Sequence, residues 1–309
     1  MQSRVVSRIL AGTLAIAAVS GLAACGAVPA DERDTGHGAR LTIGALDSLE
    51  NRILAQVYGQ VLADHGYLVD YNEGVGARPA FLAALQAGSV DLVADSAGEL
   101  LYEVDDAAFA RSADDIDDAL PDAVKAVKLH VLDEAPADNA VAFVVTQDFA
   151  KERQVSSIGE LAYLADEITI GVNEGFESER YGASGLLSVY GVAGFDTREF
   201  ADDGGAATIG ALLTRSVQVA VVPSTSPTIN RNNLLVLSDP KSLITTQNIV
   251  PVVNDQADTP DVQAILNPVS AAISTEELRS LNEQATASSR PSPESIARAW
   301  LLGKDLIRE

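Results

Sequence analysis

Three histidines, one cysteine and several acid-rich runs are the residues of this 309-residue chain whose types suit catalysis or metal binding. His37, His65 and His130 lie far apart, and none stands in a ligand spacing with another histidine or a cysteine, so no zinc site is encoded locally. The run Asp114, Asp115, Asp117 and Asp118 supplies carboxylates. A calcium loop of the EF-hand type also needs a glycine at its sharp turn and a closing glutamate, and neither is there. A solvated helix face beginning at a Ser112 cap accounts for the run. No G-x-S-x-G elbow or P-loop occurs, and Gly74-Val75-Gly76-Ala77-Arg78 lacks the third glycine of a dinucleotide turn, which leaves a tight turn into a helix. No catalytic constellation, cofactor or metal is expected on these grounds, although side chains distant in sequence can still converge.

The lone Cys25 has a different chemistry. Arg4 and Arg8 precede an apolar run from Ile9 to Val19, the layout of an export signal and too short to span a bilayer. Leu22-Ala23-Ala24-Cys25-Gly26 follows and resembles the lipobox of bacterial lipoproteins, in which the cysteine is lipidated and becomes the first mature residue. The expectation is a signal peptide over residues 1–24 and a lipidated tether over 25–40; a chance cysteine near an ordinary cleavage site is the alternative. With one cysteine no intrachain disulfide can form, so stability must come from burial.

The formal net charge is −23, and removing the signal with Arg4 and Arg8 makes it two units more negative. Such a surface repels nucleic acid and anionic headgroups, so neither is expected as a partner; contact with the membrane is expected through the lipid alone.

Candidate groups must be positioned by the elements that follow the tether. Short apolar strands are predicted at 41–44, 67–71, 90–94, 127–132, 140–145, 168–172, 217–222, 234–237 and 249–253. Helices are predicted at 49–63, 78–86, after Ser112, after the capping-box spacing Ser157…Glu160, near 185–190, at 206–213, and in three closing segments: 261–266, after Ser274, and from Ser292-Pro293 to Leu302. This alternation implies βαβ units and a mostly parallel sheet, and the self-contained middle suits a second domain inserted into the first.

Several of these segments together resemble the substrate-binding proteins of glycine betaine, choline and related osmoprotectant ABC importers. The resemblance runs from Leu41-Thr42-Ile43-Gly44 and Glu50 through Gly76-Ala77-Arg78, Leu85-Gln86-Ala87-Gly88-Ser89-Val90-Asp91-Leu92-Val93 and Ala135-Pro136-Ala137-Asp138-Asn139. It continues through Ser188-Val189-Tyr190-Gly191, Leu237-Ser238-Asp239-Pro240-Lys241, Leu278-Arg279-Ser280-Leu281-Asn282 and Ile296-Ala297-Arg298-Ala299-Trp300-Leu301. It implies a two-domain α/β fold of the type II periplasmic-binding-protein kind, with two crossing strands as hinge near Phe143–Thr146 and Asn248–Pro251. The expected domains are 41–144 with 249–309, and 145–248. The implied partners are a small polar or zwitterionic solute and the permease subunits of an importer, and the implied location is the outer face of the cell membrane. A lipoprotein that kept the fold as a surface scaffold, and an enzyme on a similar fold, are the rival readings.

The family grips a quaternary ammonium with aromatic faces. Where the resemblance places such rings, this chain carries Ser96, Pro223 and Gln247, and the polar pair Asp138 and Asn139 has no aromatic beside it. Arg180 lies where the family carries an arginine that binds the ligand carboxylate, for which a planar fork is suited; a surface arginine paired with Glu177 or Glu179 is the alternative. The candidate ligand-binding set is Ser96, Asn139, Arg180, Thr225, Ser226, Gln247 and Asn248. It suits a solute more polar than glycine betaine, which is expected to bind weakly or not at all unless Tyr102 or Tyr181 rebuilds the cage.

Overall fold

Residues 38–308 are described by the computed structural model; Cys25, the export segment and His37 lie outside them. Among the described residues ten strands form two five-stranded sheets. In chain order they are β1 (Arg40–Gly44), β2 (Leu68–Asn72), β3 (Leu92–Ser96), β4 (His130–Val131), β5 (Val141–Thr146), β6 (Thr169–Asn173), β7 (Asp196–Phe200), β8 (Val219–Pro223), β9 (Leu234–Val236) and β10 (Ile249–Val253). The first sheet has the order β2-β1-β3-β10-β4 and the second β7-β6-β8-β5-β9.

The two sheets share one topology. Each has three parallel strands, then an antiparallel strand that is the first to follow a crossing, then a short edge strand. The sheets are therefore mixed, not mostly parallel. The reason is directional: β3 and β8 end where the chain crosses, and β10 and β5 begin there, so Ile249 pairs with Ser96 and Val141 with Pro223. All of β5 pairs in the second sheet, so the boundary expected at 144/145 falls inside a strand, and the crossings lie earlier, around Asp138–Ala140 and Gln247–Asn248.

Periodicity accounts for the longest helix. Leu49–Asp64 buries Ile53, Leu54, Val57, Val61 and Leu62 along one side, and Ser48 Oγ caps it by accepting from the Asn51 N–H. The closing helices Pro260–Ala272, Thr275–Ala285 and Pro293–Gly303 pack on it and return the chain to the first sheet. The opposite face of that sheet is covered by Arg78–Gln86, Ala97–Val104 and Ala113–Ala126, through Phe81, Leu85, Leu100, Leu101, Ile116 and Leu120. The acidic run lies in Ala113–Ala126, which begins in a capping box between Ser112 and Asp115.

Several boundaries differ from the pattern-based ones for local reasons. The strand expected at 127–132 shrinks to two residues because Val127 and Lys128 close the preceding helix, Lys128 at φ 63°. The helix expected to stop at Leu266 runs through Pro268 to Ala272, with Leu266, Val269 and Ser270 held in the core. The strand β7 has no signature in the pattern because Asp196-Thr197-Arg198-Glu199-Phe200 is an exposed edge with no apolar alternation. Among the described residues no helix is long and apolar enough to cross a membrane.

Candidate functional site

Both crossings and the carboxyl ends of β3, β6 and β8 meet between the two sheets. Asp138 ties the crossings together: its Oδ1 accepts from the Ala140 N–H at 2.8 Å and the Gln247 N–H at 3.1 Å. Asn139 N–H donates to the Gln247 carbonyl at 3.1 Å. Burial pushes the Asp138 carboxyl up, opposed by those two backbone donors. The turn after β3 lies tight against the return crossing, since a Cβ on Gly98 would stand 2.5 Å from the Thr246 carbonyl oxygen. Only a glycine permits that approach.

A cavity of about 380 Å³ opens beside these crossings. Its lining includes Glu99 and Tyr102 from the first half, Asn139 and Gln247 from the crossings, and Arg180 and Tyr181 from the segment after β6. Glu99 is held in place. Its N–H donates to Gln247 Oε1 at 2.9 Å, and its Oε2 accepts from Arg78 at 2.6 Å. Arg78 is itself locked on Asp95 by two bonds of 2.7 and 2.9 Å. Asp95 is 1% exposed. Burial pushes its carboxyl up and Arg78 pulls it back, while the paired acids hold the Arg78 guanidinium above its usual range.

The two tyrosines differ in what remains available. The Tyr102 hydroxyl donates to the Ala110 carbonyl, and its ring lies under Arg180, whose guanidinium carbon is 5.5 Å from the centroid. The same guanidinium is 5.8 Å from the ring of Phe109. Arg180, from the second half, thus reaches two rings of the first. Among the described residues it makes no ion pair, with Glu177 and Glu179 or any other acid. Tyr181 packs at a tilt on Phe176, centroids 6.1 Å apart, and its hydroxyl is pushed up to about 12 by burial, then by the charges of Glu179 and Glu99. It stays a neutral donor.

Three of the seven sequence-derived candidates, Asn139, Arg180 and Gln247, therefore line one cavity. Ser96 is buried behind Asn139, to whose Oδ1 it donates at 2.9 Å. Thr225 and Ser226 line a second opening of about 430 Å³ with Ser48, Glu50 and Asn282, on the other side of Asn139. A polar chain separates the two spaces: Asn139 donates to Glu50 at 3.1 Å, and Asn282 donates to Glu50 at 2.6 Å and to the Thr225 carbonyl at 3.1 Å. Asn248 lines neither space and donates to the Ala135 carbonyl at 2.8 Å. Glu99, Tyr102 and Tyr181 stand outside the sequence-derived set. The readable signal for Glu99 is its place directly after Gly98 in the first turn of the helix that follows β3; the sequence offers the tyrosines only as rings that could rebuild the cage, and their approach depends on how the halves face each other.

Two sheets of one topology joined by paired crossings, with a polar cavity at the junction, make up the two-domain α/β fold of periplasmic substrate-binding proteins. Residues 39–302 match the family described as the substrate-binding domain of ABC-type glycine betaine transport systems, and the chain belongs to that family. The glycine betaine-binding protein YehZ of Escherichia coli (strain K12) is 25% identical over 260 residues, covering 78% of this chain and 83% of that protein. The carnitine transport binding protein OpuCC of Listeria monocytogenes serotype 1/2a (strain 10403S) is 24% identical over 275 residues, covering 84% and 85%. Among solved structures, a glycine betaine/carnitine/choline ABC transporter protein superposes with a TM-score of 0.77 at 22% identity, over 86% of this chain and 99% of that one. Apo YehZ gives 0.75 at 22%, over 87% and 100%. The relatives are solute-binding proteins of ABC importers, not enzymes, and such proteins work outside the cytoplasm.

Proposed function

We propose that this chain is a lipoprotein, anchored through Cys25 to the outer face of the cell membrane, that captures a small polar or zwitterionic solute and presents it to the permease subunits of an osmoprotectant-class importer. The observation that carries the reading is the cavity between the halves, to which each half and both crossings contribute polar side chains. A solute there touches both halves at once, and its simultaneous attraction to the two supplies the energy of a hinge motion about Asp138–Ala140 and Gln247–Asn248. Arg180 offers a guanidinium fork to a carboxylate, and Asn139, Gln247 and Tyr181 offer hydrogen-bonding groups in place of a full aromatic cage.

A thermal-shift screen of betaines, choline, carnitine, ectoines, amino acids and sugars tests the capture. A ligand at 100 times its dissociation constant adds about 2.7 kcal/mol to folded-state stability, a readily measured rise in midpoint. A flat response across the panel, with no change in compactness by solution scattering, overturns solute capture. Cys25→Ala is expected to release the protein from the membrane fraction or leave the signal uncleaved; unchanged membrane association overturns the anchor.

A further inference from the structure

We propose that the cleft selects a solute whose cationic group carries N–H hydrogens, a primary or secondary ammonium or a guanidinium, over a fully methylated one, and that Glu99 is the residue that selects it. The inference rests on the solute-capture reading above and specifies the chemistry of that site.

Three observations point the same way. Glu99 is a carboxylate in the lining of the cavity with one of its two oxygens engaged: Oε2 is held by Arg78, whereas among the described residues no donor reaches Oε1. The carboxylate is held before anything binds, because Oε2 is bonded to Arg78, Arg78 is fixed on buried Asp95, and the Glu99 N–H is fixed on Gln247. Glu179 adds a second carboxylate to the lining beside Tyr181.

The aromatic surface that a quaternary ammonium needs is meanwhile partly taken. The protein's own Arg180 guanidinium covers Tyr102 and reaches Phe109. A trimethylammonium group has no hydrogen to give Oε1 and would compete with Arg180 for the ring face, whereas an N–H cation donates directly to Oε1 in a charge-assisted bond. Arg180 remains available to a carboxylate at the other end of the same solute.

The test is calorimetric titration of the mature protein with skeleton-matched pairs: glycine against glycine betaine, proline against its N,N-dimethyl betaine, 4-amino-3-hydroxybutyrate against carnitine, and ethanolamine against choline. In the pair containing the tightest binder, the N–H member is expected to bind about tenfold or more tighter, the ratio that corresponds to one hydrogen bond to a charged group. Glu99→Gln is expected to abolish that preference. Glu99→Asp, which keeps the charge and withdraws the oxygen, is expected to reduce it, and it serves as the readout if the glutamine variant does not fold. Equal or tighter binding of the methylated member, or a preference that survives both substitutions, overturns the role of Glu99 while leaving solute capture intact. If no member of any pair binds while another solute of the thermal-shift panel without an N–H cation does, selection of an N–H cation is overturned and solute capture stands; a flat panel, arginine included, overturns both.

Discussion

The two halves of this protein use one strand plan and finish it differently. In the first, β1 is linked to β2 by the 16-residue helix Leu49–Asp64, capped, half-buried and covered in turn by three more helices. In the second, the equivalent link from β6 to β7 is a 3₁₀ turn at Phe176–Ser178, a short helical turn at Ala183–Gly185 and a π-helical turn at Leu186–Tyr190. The irregular link carries Arg180 and Tyr181 into the cleft, while the first half presents Glu99 from the first turn of the helix Ala97–Val104, tied through Arg78 to buried Asp95 at the end of β3. At the fourth position of β3 stands Asp95, and at the fourth of β8 stands Val222. The same backbone thus offers a fixed polar wall on one side, and on the other an apolar end to β8 with the irregular link that follows β6. A solute can be aimed by the first wall and followed by the second.

The largest effects should come from the cores, and they test whether the halves are energetically separate. Phe81 and Phe143 are both fully buried, one in each half. Truncation of either to alanine is expected to cost about 3–5 kcal/mol. If the halves are independent, calorimetry of Phe81→Ala splits the unfolding into two transitions with the earlier one in the first half, and Phe143→Ala reverses their order. A single transition lowered equally by both would mean that the crossings couple the halves into one cooperative unit.

Asp95→Asn probes the fixed wall. It removes the charge that Arg78 is bonded to and leaves that guanidinium with Glu99 as its remaining acid, so a loss of about 2–3 kcal/mol is expected in urea unfolding. Val222→Ala at the matching position should cost about 1–2 kcal/mol, the lower range of large-to-small changes in a core. Equal costs would remove the contrast between the walls.

The smallest effect concerns the outbound connection. The Glu134 carboxyl is pushed up to about 8 by burial, then by the charge of Asp117 and a hydrogen bond with it. An unfolded glutamate ionises near its ordinary value of about 4.3. Between those values the folded chain holds a proton that the unfolded chain has released, so this contribution is full below the ordinary value and is lost as pH rises through about 8. Glu134→Gln should flatten that decline and, discounted for the partial exposure of the group, stabilise the protein at pH 8.5 by about 1–2 kcal/mol while changing little at pH 4. Urea midpoints at the two pH values check the sign.

What the sequence determined by itself is what local physics determines. Apolar patterning located Leu49–Asp64, Arg78–Gln86, Ala206–Leu213 and β10 closely, because their buried residues are consecutive or helix-spaced in the sequence itself. The ordered family segments pointed to the fold and to Asn139, Arg180 and Gln247. The tertiary structure alone decided which polar side chains share a space. Ser96 and Asn248, adjacent in character to the others, turned inward to serve the crossings, and Thr225 and Ser226 fell on the far side of the Asn139–Glu50–Asn282 chain. Tyr102, Tyr181 and Arg180 meet only because two sheets built from distant segments face each other across paired crossings. No periodicity encodes that meeting, since it depends on the direction in which β5 and β10 enter their sheets, and so on pairings between residues 76 to 161 positions apart.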